Sequence, residues 1–365
     1  MMKVGKSGMN REYRTPCFIM EKKSLEDNLE KIAFLEQKSG VKILHTLKSF
    51  NEATVLPLIS SKLSGMSVGS SKEITMAKKA NGEYIHLYTP AFKEDEVQVL
   101  AEGVDSISFN SLNQWKLFGN KTFKASKGLR INPKLHLPIP DYINPNVPYS
   151  RLGVDHLEFM EAYSHNPDEF VNLEGLHFHV LFQSSAQGLQ ILLDHILENY
   201  QRVLPQLKWL NLGGGHNFTD EGYEVESFLK MVQQFNSSYP HIQLIFEPGE
   251  SVVKNCGNFI CTVLDIVTIS GQEVVILDTS TETHLLDVAI VKLRLKVKGT
   301  QRSSTPYHYE LSGNSCLQGD FIGEYFFEKV LKVGDEVVFE DMMGYSMVKM
   351  TEFNGMERAG FVLEK

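Results

Sequence analysis

Ile43-Leu44-His45-Thr46-Leu47-Lys48-Ser49-Phe50 is the stretch on which the fold turns. Read as a strand, it puts Leu44, Thr46 and Lys48 on one face, because side chains alternate along an extended chain. A lysine ending an inward row is costly as a bare cation. Desolvation lowers its pKa and makes the amine a nucleophile. Working outward, strand-length apolar runs recur at 42–48, 65–70, 84–89, 105–109, 128–132, 173–180, 207–212 and 242–247. Helix-length segments separate most of them, as at 72–80, 93–102, 189–203 and 224–235. The first helix is expected to start at Ser24, with Ser24 as N-cap and Asp27 in its third position. Repeated strand–helix units imply parallel strands joined by right-handed crossovers. Eight such units close into a (β/α)8 barrel, expected over residues 24–258. The Pro- and Asn-rich stretch 133–150 reads as a long loop after the fifth strand, a place where barrels put function.

Beyond residue 258 the pattern changes. Strand-like runs follow one another without long helices: 259–269, 273–277, 288–296, 307–312, 336–339 and 346–350. Gly271, Gly299, Gly313 and Gly334 punctuate them. The reading is a β-rich, β-barrel-like domain over 259–365, which the N-terminal segment 12–23 is expected to join.

A net charge of −9 argues against nucleic acid or an anionic membrane as a partner. Cys17, Cys256, Cys261 and Cys316 form neither a disulfide framework nor a zinc motif, so no metal is expected, and reduced thiols point to the cytoplasm. The N-terminus shows no signal-peptide core, and no run is apolar enough to span a bilayer.

Chemistry in such a barrel gathers at the C-terminal ends of the strands. Strand one ends at Lys48. Strand six, Gly175-Leu176-His177-Phe178-His179-Val180, puts His177 and His179 on one face. Strand seven runs into Gly213-Gly214-Gly215, whose backbone N–H groups suit a phosphate. Strand eight runs into Glu247-Pro248-Gly249-Glu250, with Glu247 inward by its parity with Ile245. An amine, a phosphate loop, a flat imidazole and an inward carboxylate are the needs of pyridoxal phosphate (PLP).

With these motifs the chain resembles the fold-type III PLP enzymes, the superfamily of alanine racemase and the ornithine and diaminopimelate decarboxylases, over nearly its whole length. The resemblance implies PLP held by Lys48, His179, Gly213, Gly214, Gly215, Glu247 and Gly249. Gly313-Asn314-Ser315-Cys316-Leu317-Gln318-Gly319-Asp320 resembles the decarboxylase branch's Gly-x-x-Cys-x-x-x-Asp segment. It implies Cys316 as a catalytic cysteine and Asp320 as a substrate-contacting acid, offered across a homodimer interface. Asp341-Met342-Met343-Gly344-Tyr345-Ser346, followed by Phe353-Asn354-Gly355, is similar to the family's Gly-x-Tyr segment, and the resemblance implies Tyr345 on the cofactor phosphate. A carboxylate rather than an arginine at position 247 implies decarboxylation rather than racemisation. Glu250, where many relatives carry arginine, and Ser150-Arg151-Leu152-Gly153 resemble the branch acting on carboxylated triamines in polyamine synthesis. A cationic triamine would need acids: Asp320 first, then Glu250 and Asp287. The serine that many relatives place three residues after the stacking histidine is Phe182 here, with Ser184 and Ser185 nearby. The alternatives are a diaminopimelate or other basic amino acid decarboxylase, a catalytically dead regulator, and a metal hydrolase using His177 and His179.

Overall fold

The computed structural model describes residues 13–365 except His136, Tyr142 and Ser304. The chain forms two compact units, one of Asp27–Val252 and one of the residues up to Glu26 together with Val253–Lys365.

In the first unit eight parallel strands close a barrel: β1 (Lys42–Thr46), β2 (Gly65–Val68), β3 (Tyr84–Tyr88), β4 (Ser106–Phe109), β5 (Ser126–Asn132), β6 (Gly175–Phe178), β7 (Trp209–Asn211) and β8 (Gln243–Phe246). Each pairs with its neighbours in chain order, and β8 returns to β1 with Ile245 opposite Lys42. Helices such as Ser71–Lys79, Ala186–Asn199 and Val225–Ser238 fill the connections. Ser70 caps the first of these, its hydroxyl accepting from the Glu73 N–H, the side-chain bond that satisfies an otherwise unpaired helix-start donor. The N-terminal half of the barrel interior is filled by Leu44, Trp209 and Ile245 with Tyr84 against them. Gly128 and Gly175 make room for the indole: a Cβ on Gly175 would stand 2.1 Å from Trp209 Cδ2. This apolar plug leaves the polar inward residues of the next layer up to form the mouth.

Three details depart from the sequence reading. The helix starts at Lys22, directly after the strand Cys17–Glu21, so Ser24 is helical rather than an N-cap; its hydroxyl donates to Glu21 Oε2 at 2.9 Å. β1 ends at Thr46, and Lys48 stands in the following turn, which Ser49 N–H closes onto Thr46 O. A two-residue strand, Val154–Asp155, pairs with β5 after the long loop. Among the described residues, 133–153 carry no helix or strand.

The second unit is a mixed nine-stranded sheet. Cys17–Glu21 lies in it, antiparallel to Gly257–Ile269 and parallel to Gly360–Glu364. The run 288–296, expected as a strand, is instead a helix Leu286–Val291 stopped by left-handed Lys292, and 346–350 is a short helix, Tyr345–Val348. Both runs are rich in β-branched or long apolar residues, and over so few residues apolar content does not separate strand from helix. Phe321–Phe327 and Gly360–Glu364 are strands that the sequence reading missed. Among the described residues no helix is long and apolar enough to cross a membrane, and all four cysteines are free.

Candidate active site

Period-two alternation carries inward residues from the plug to the mouth: Leu44 to Thr46, Tyr84 to His86 and Tyr88, Gly128 to Arg130, Gly175 to His177 and on to His179, Trp209 to Asn211, Ile245 to Glu247. Glu247 is buried at 5 % exposure. Asn211 Nδ2 donates to its Oε1 at 2.8 Å. His177 Nε2 stands 3.5 Å from Oε2, and His86 Nε2 3.9 Å from Oε1. His86 is itself held, Nδ1 at 2.7 Å from Ser106 Oγ and Nε2 at 3.0 Å from Ser108 Oγ.

Lys48 is reachable by solvent yet stands in a recess crowded by protein. Both are properties of a side chain lining a pocket. Loss of bulk water lowers its pKa, Arg130 lowers it further, and Glu247 and Glu73 act in the opposite direction. The result is an amine more readily freed of its proton, as a nucleophile requires. Arg130 is buried, its guanidinium carbon 4.5 Å from the centre of the Tyr88 ring. The Tyr88 hydroxyl donates to Asn110 Oδ1 at 2.7 Å. His177 and His179 are held well below the usual imidazole range, first by burial and then by the charges of Arg130 and Lys48. Both are neutral at pH 7, which leaves Arg130 as the buried fixed positive charge available to an anionic ligand.

The glycine loop closes against this cluster. Gly213 (φ +68°) and Gly215 (φ +86°) adopt left-handed backbone, and a Cβ on Gly215 would lie 2.0 Å from Leu181 O. A Cβ on Gly214 would lie 2.5 Å from Glu247 O. The expectation that all three N–H groups face a phosphate narrows here: Gly213 N–H donates to Asn211 Oδ1 at 2.8 Å and Gly214 N–H to His179 Nδ1 at 3.1 Å. These bonds instead orient the imidazole and the amide that holds Glu247. Gly249 packs tightly on the turn carrying Lys48, a Cβ there meeting Ser49 Oγ at 2.2 Å. Ser185 caps the following helix, and Ser184 N–H donates to Gly215 O.

The structure therefore brings together Lys48, His177, His179, the glycine loop, Gly249 and Glu247. It adds Arg130, Asn211, Tyr88 and His86, which sequence reading passed over. Their signal was inward parity on β3, β5 and β7. Glu250 begins a short helix and accepts from Gln183 Nε2 at 3.3 Å. The remaining expected residues belong to the second unit. Asp287 is paired with Lys349 at 2.6 Å, and the Lys349 amine also lies 4.9 Å from the Tyr345 ring centre. Cys316 is exposed in the loop joining Tyr307–Ser312 to Phe321–Phe327, and Asp320 is buried beneath that loop.

His177, His179 and Glu247 offer ligand atoms within 4.8 Å of one another, a spacing a metal ion could use. Lys48 and Arg130 oppose a dication there. The buried Arg130 cation, the nucleophilic lysine, the close-packed glycine loop and the buried carboxylate fit PLP: an anion, an aldehyde and a ring nitrogen.

Residues 26–254 match the family model described as "Pyridoxal-dependent decarboxylase, pyridoxal binding domain", and residues 178–343 match its "C-terminal sheet domain". The chain belongs to the pyridoxal-dependent decarboxylases; it is a carboxy-lyase whose cofactor is pyridoxal 5'-phosphate. Among its relatives is the carboxynorspermidine/carboxyspermidine decarboxylase of Campylobacter jejuni, 37% identical, with 96% of this chain and 93% of that protein aligned. The carboxyaminopropylagmatine decarboxylase of a Synechocystis strain is 35% identical over 94% of this chain and 88% of its own. The crystal structure of carboxynorspermidine decarboxylase from Campylobacter jejuni complexed with norspermidine superposes with a TM-score of 0.85, at 35% identity, covering 96% of this chain and 94% of that one.

Proposed function

We propose that this chain decarboxylates carboxyspermidine and carboxynorspermidine to spermidine and norspermidine, as a cytoplasmic homodimer with shared active sites. The observation that carries the substrate is the full-length likeness to a relative whose crystal structure holds norspermidine. Bound PLP supplies an electron sink for the pair left on Cα when CO2 departs. Lys48 would hold the cofactor through its amine, whose pKa is lowered. Glu247 would hold a proton on the ring nitrogen and so strengthen the sink. Asn211, donating to Glu247 Oε1, fixes that carboxylate so that its charge is aimed before reaction. His179, oriented by the Gly214 N–H, would offer its flat face to the cofactor ring. Arg130 supplies a buried positive charge to the cofactor's anionic oxygens. Gly215, the backbone near Gly249, and Tyr345 are assigned to the phosphate. The partner's Cys316 hands its thiol proton to Cα after CO2 leaves. Glu250 and Asp287 are weaker choices for the distal amines, Asp287 because Lys349 already neutralises it.

The test is turnover, followed as CO2 release, on carboxyspermidine, carboxynorspermidine, carboxyaminopropylagmatine, diaminopimelate and ornithine. Preference for either of the first two supports the reading. Preference for the guanidino substrate, or for diaminopimelate, sinks it. Sedimentation at micromolar concentration tests the dimer, and a monomer with full activity would remove the shared site.

A further inference from the structure

Asp320 was expected to touch substrate, but its carboxylate is already engaged. It is 2 % exposed. Oδ1 accepts from the Thr281 N–H at 2.7 Å and the Thr281 hydroxyl at 2.8 Å. Oδ2 accepts from the Ser315 hydroxyl at 2.6 Å and the Ser315 N–H at 3.1 Å. A carboxylate has about four lone-pair sites, so none remains for a substrate ammonium. Burial acts to raise its pKa, but these donors outweigh it and hold the group below the usual range.

The same bonds fix the loop on either side of Cys316. Ser315 precedes it and is held twice by Asp320. Ser315 Oγ accepts from the Leu317 N–H at 3.3 Å. Asn314 N–H donates to Thr279 O at 2.7 Å, Gly313 N–H to Asp320 O at 2.9 Å, and Asp320 N–H to Leu317 O at 3.1 Å. A Cβ on Gly313 would stand 2.3 Å from Asp320 Oδ2, so the loop's first residue has no room for a side chain above the carboxylate. Between these fixed points Asn314, Cys316, Leu317, Gln318 and Gly319 are exposed. The thiol is thus displayed on a backbone anchored from beneath.

We propose that Asp320 is a positioning residue: it anchors the 313–320 loop so that the Cys316 thiol is presented in one place for proton delivery, and it does not bind substrate. The inference rests on the assignment of Cys316 as the proton donor, and the test separates the two. Holoenzymes carrying Asp320→Asn, Cys316→Ala and both substitutions are compared for kcat and KM with carboxynorspermidine, and for amide hydrogen exchange across 313–319. An amide NH2 cannot accept, so Asp320→Asn turns two donors against a donor. It is expected to lower kcat about 10- to 100-fold, as misplaced catalytic groups do, to leave KM within about twofold, to speed exchange in the loop, and to cost little more once Cys316 is absent. A rise in KM with kcat preserved would make Asp320 a substrate ligand and overturn the proposal. So would an equal loss in the Cys316→Ala background, which would mark a general structural role. If Cys316→Ala retains full kcat, the proton-donor assignment fails and the proposal falls with it. If Asp320→Asn does not fold, Thr281→Val and Ser315→Ala each remove one hydroxyl donor while keeping the charge. Partial kcat losses that vanish without Cys316 then support the anchor, and unchanged kcat in both overturns it.

Discussion

His216 follows the glycine loop directly and is 2 % exposed. Its ring stacks on Phe218 at 5.0 Å and 6°, with Phe246 edge-on at 5.0 Å. Neither ring nitrogen has a hydrogen-bond partner among the described residues. Burial pushes its pKa down from 6.5 to about 3. The unfolded chain therefore takes up a proton below pH 6.5 that the folded chain refuses until about pH 3. The stabilisation is complete above the unfolded pKa and is lost as pH falls through that window. From pH 7 to pH 5 the loss is about 1.9 kcal/mol, at about 1.4 kcal/mol for each tenfold change in the proton-binding ratio. The figure scarcely depends on the folded value, because at pH 5 the folded ring is neutral for any pKa below about 4. His45, lowered to about 4 by burial, adds a similar amount. The perturbation is His216→Phe, which keeps the aromatic stack and removes the titration. The assay is urea unfolding of the cofactor-free protein by far-ultraviolet circular dichroism, at pH 7, 6 and 5 and one protein concentration. Phe is larger than His, so overpacking shifts the absolute stability at every pH. The expected result lies in the slope: the variant loses about 1.9 kcal/mol less than the parent between pH 7 and pH 5. Parallel pH curves for the two proteins would refute the reasoning.

Glu247→Gln keeps the shape of the side chain but removes the charge that holds a proton on the ring nitrogen, so kcat for CO2 release should fall by about 100-fold or more with a smaller change in KM. An unchanged kcat would remove Glu247 from the chemistry. Gly215→Ala forces a Cβ to 2.0 Å from Leu181 O at φ +86°; a destabilisation of about 2 kcal/mol or more is expected, with weaker PLP binding, measured by urea melts and cofactor titration. Asp287→Asn should change KM for the triamine by less than about twofold, because Lys349 already pairs with the carboxylate and an exposed pair contributes little; a tenfold rise would place Asp287 on the substrate.

The barrel was legible because its signals are local. Eight short apolar runs separated by helix-length segments specify strand, crossover and handedness without any long-range information. His177, His179 and Glu247 were legible by inward parity at strand ends; Lys48 was singled out by the same count, although it stands in the turn after β1. Arg130 carried the same signal on β5 and was passed over, since a lone arginine in a strand reads as surface until the strand is known to be enclosed. In the second unit, Leu286–Val291 and Tyr345–Val348 were misread because runs of six and four residues are too short for a helical period to show. The strand Phe321–Phe327 was missed where Gly323 and Glu324 interrupt its apolar run.

By itself the sequence determined the strand–helix alternation, the parity that faces two imidazoles and a carboxylate inward, and the glycine loop and cysteine segment that mark the decarboxylase branch. Only the tertiary structure decided who holds whom. Barrel closure brings Asn211 to Glu247, and Arg130 onto the face of Tyr88. Loop path directs two of the glycine N–H groups to protein acceptors rather than to a ligand. It also brings Thr281 and Ser315 onto the carboxylate of Asp320. The reason is physical: alternation is a property of neighbouring residues, whereas a hydrogen bond to a buried carboxylate depends on atoms from strands and loops that meet only after the sheet has closed.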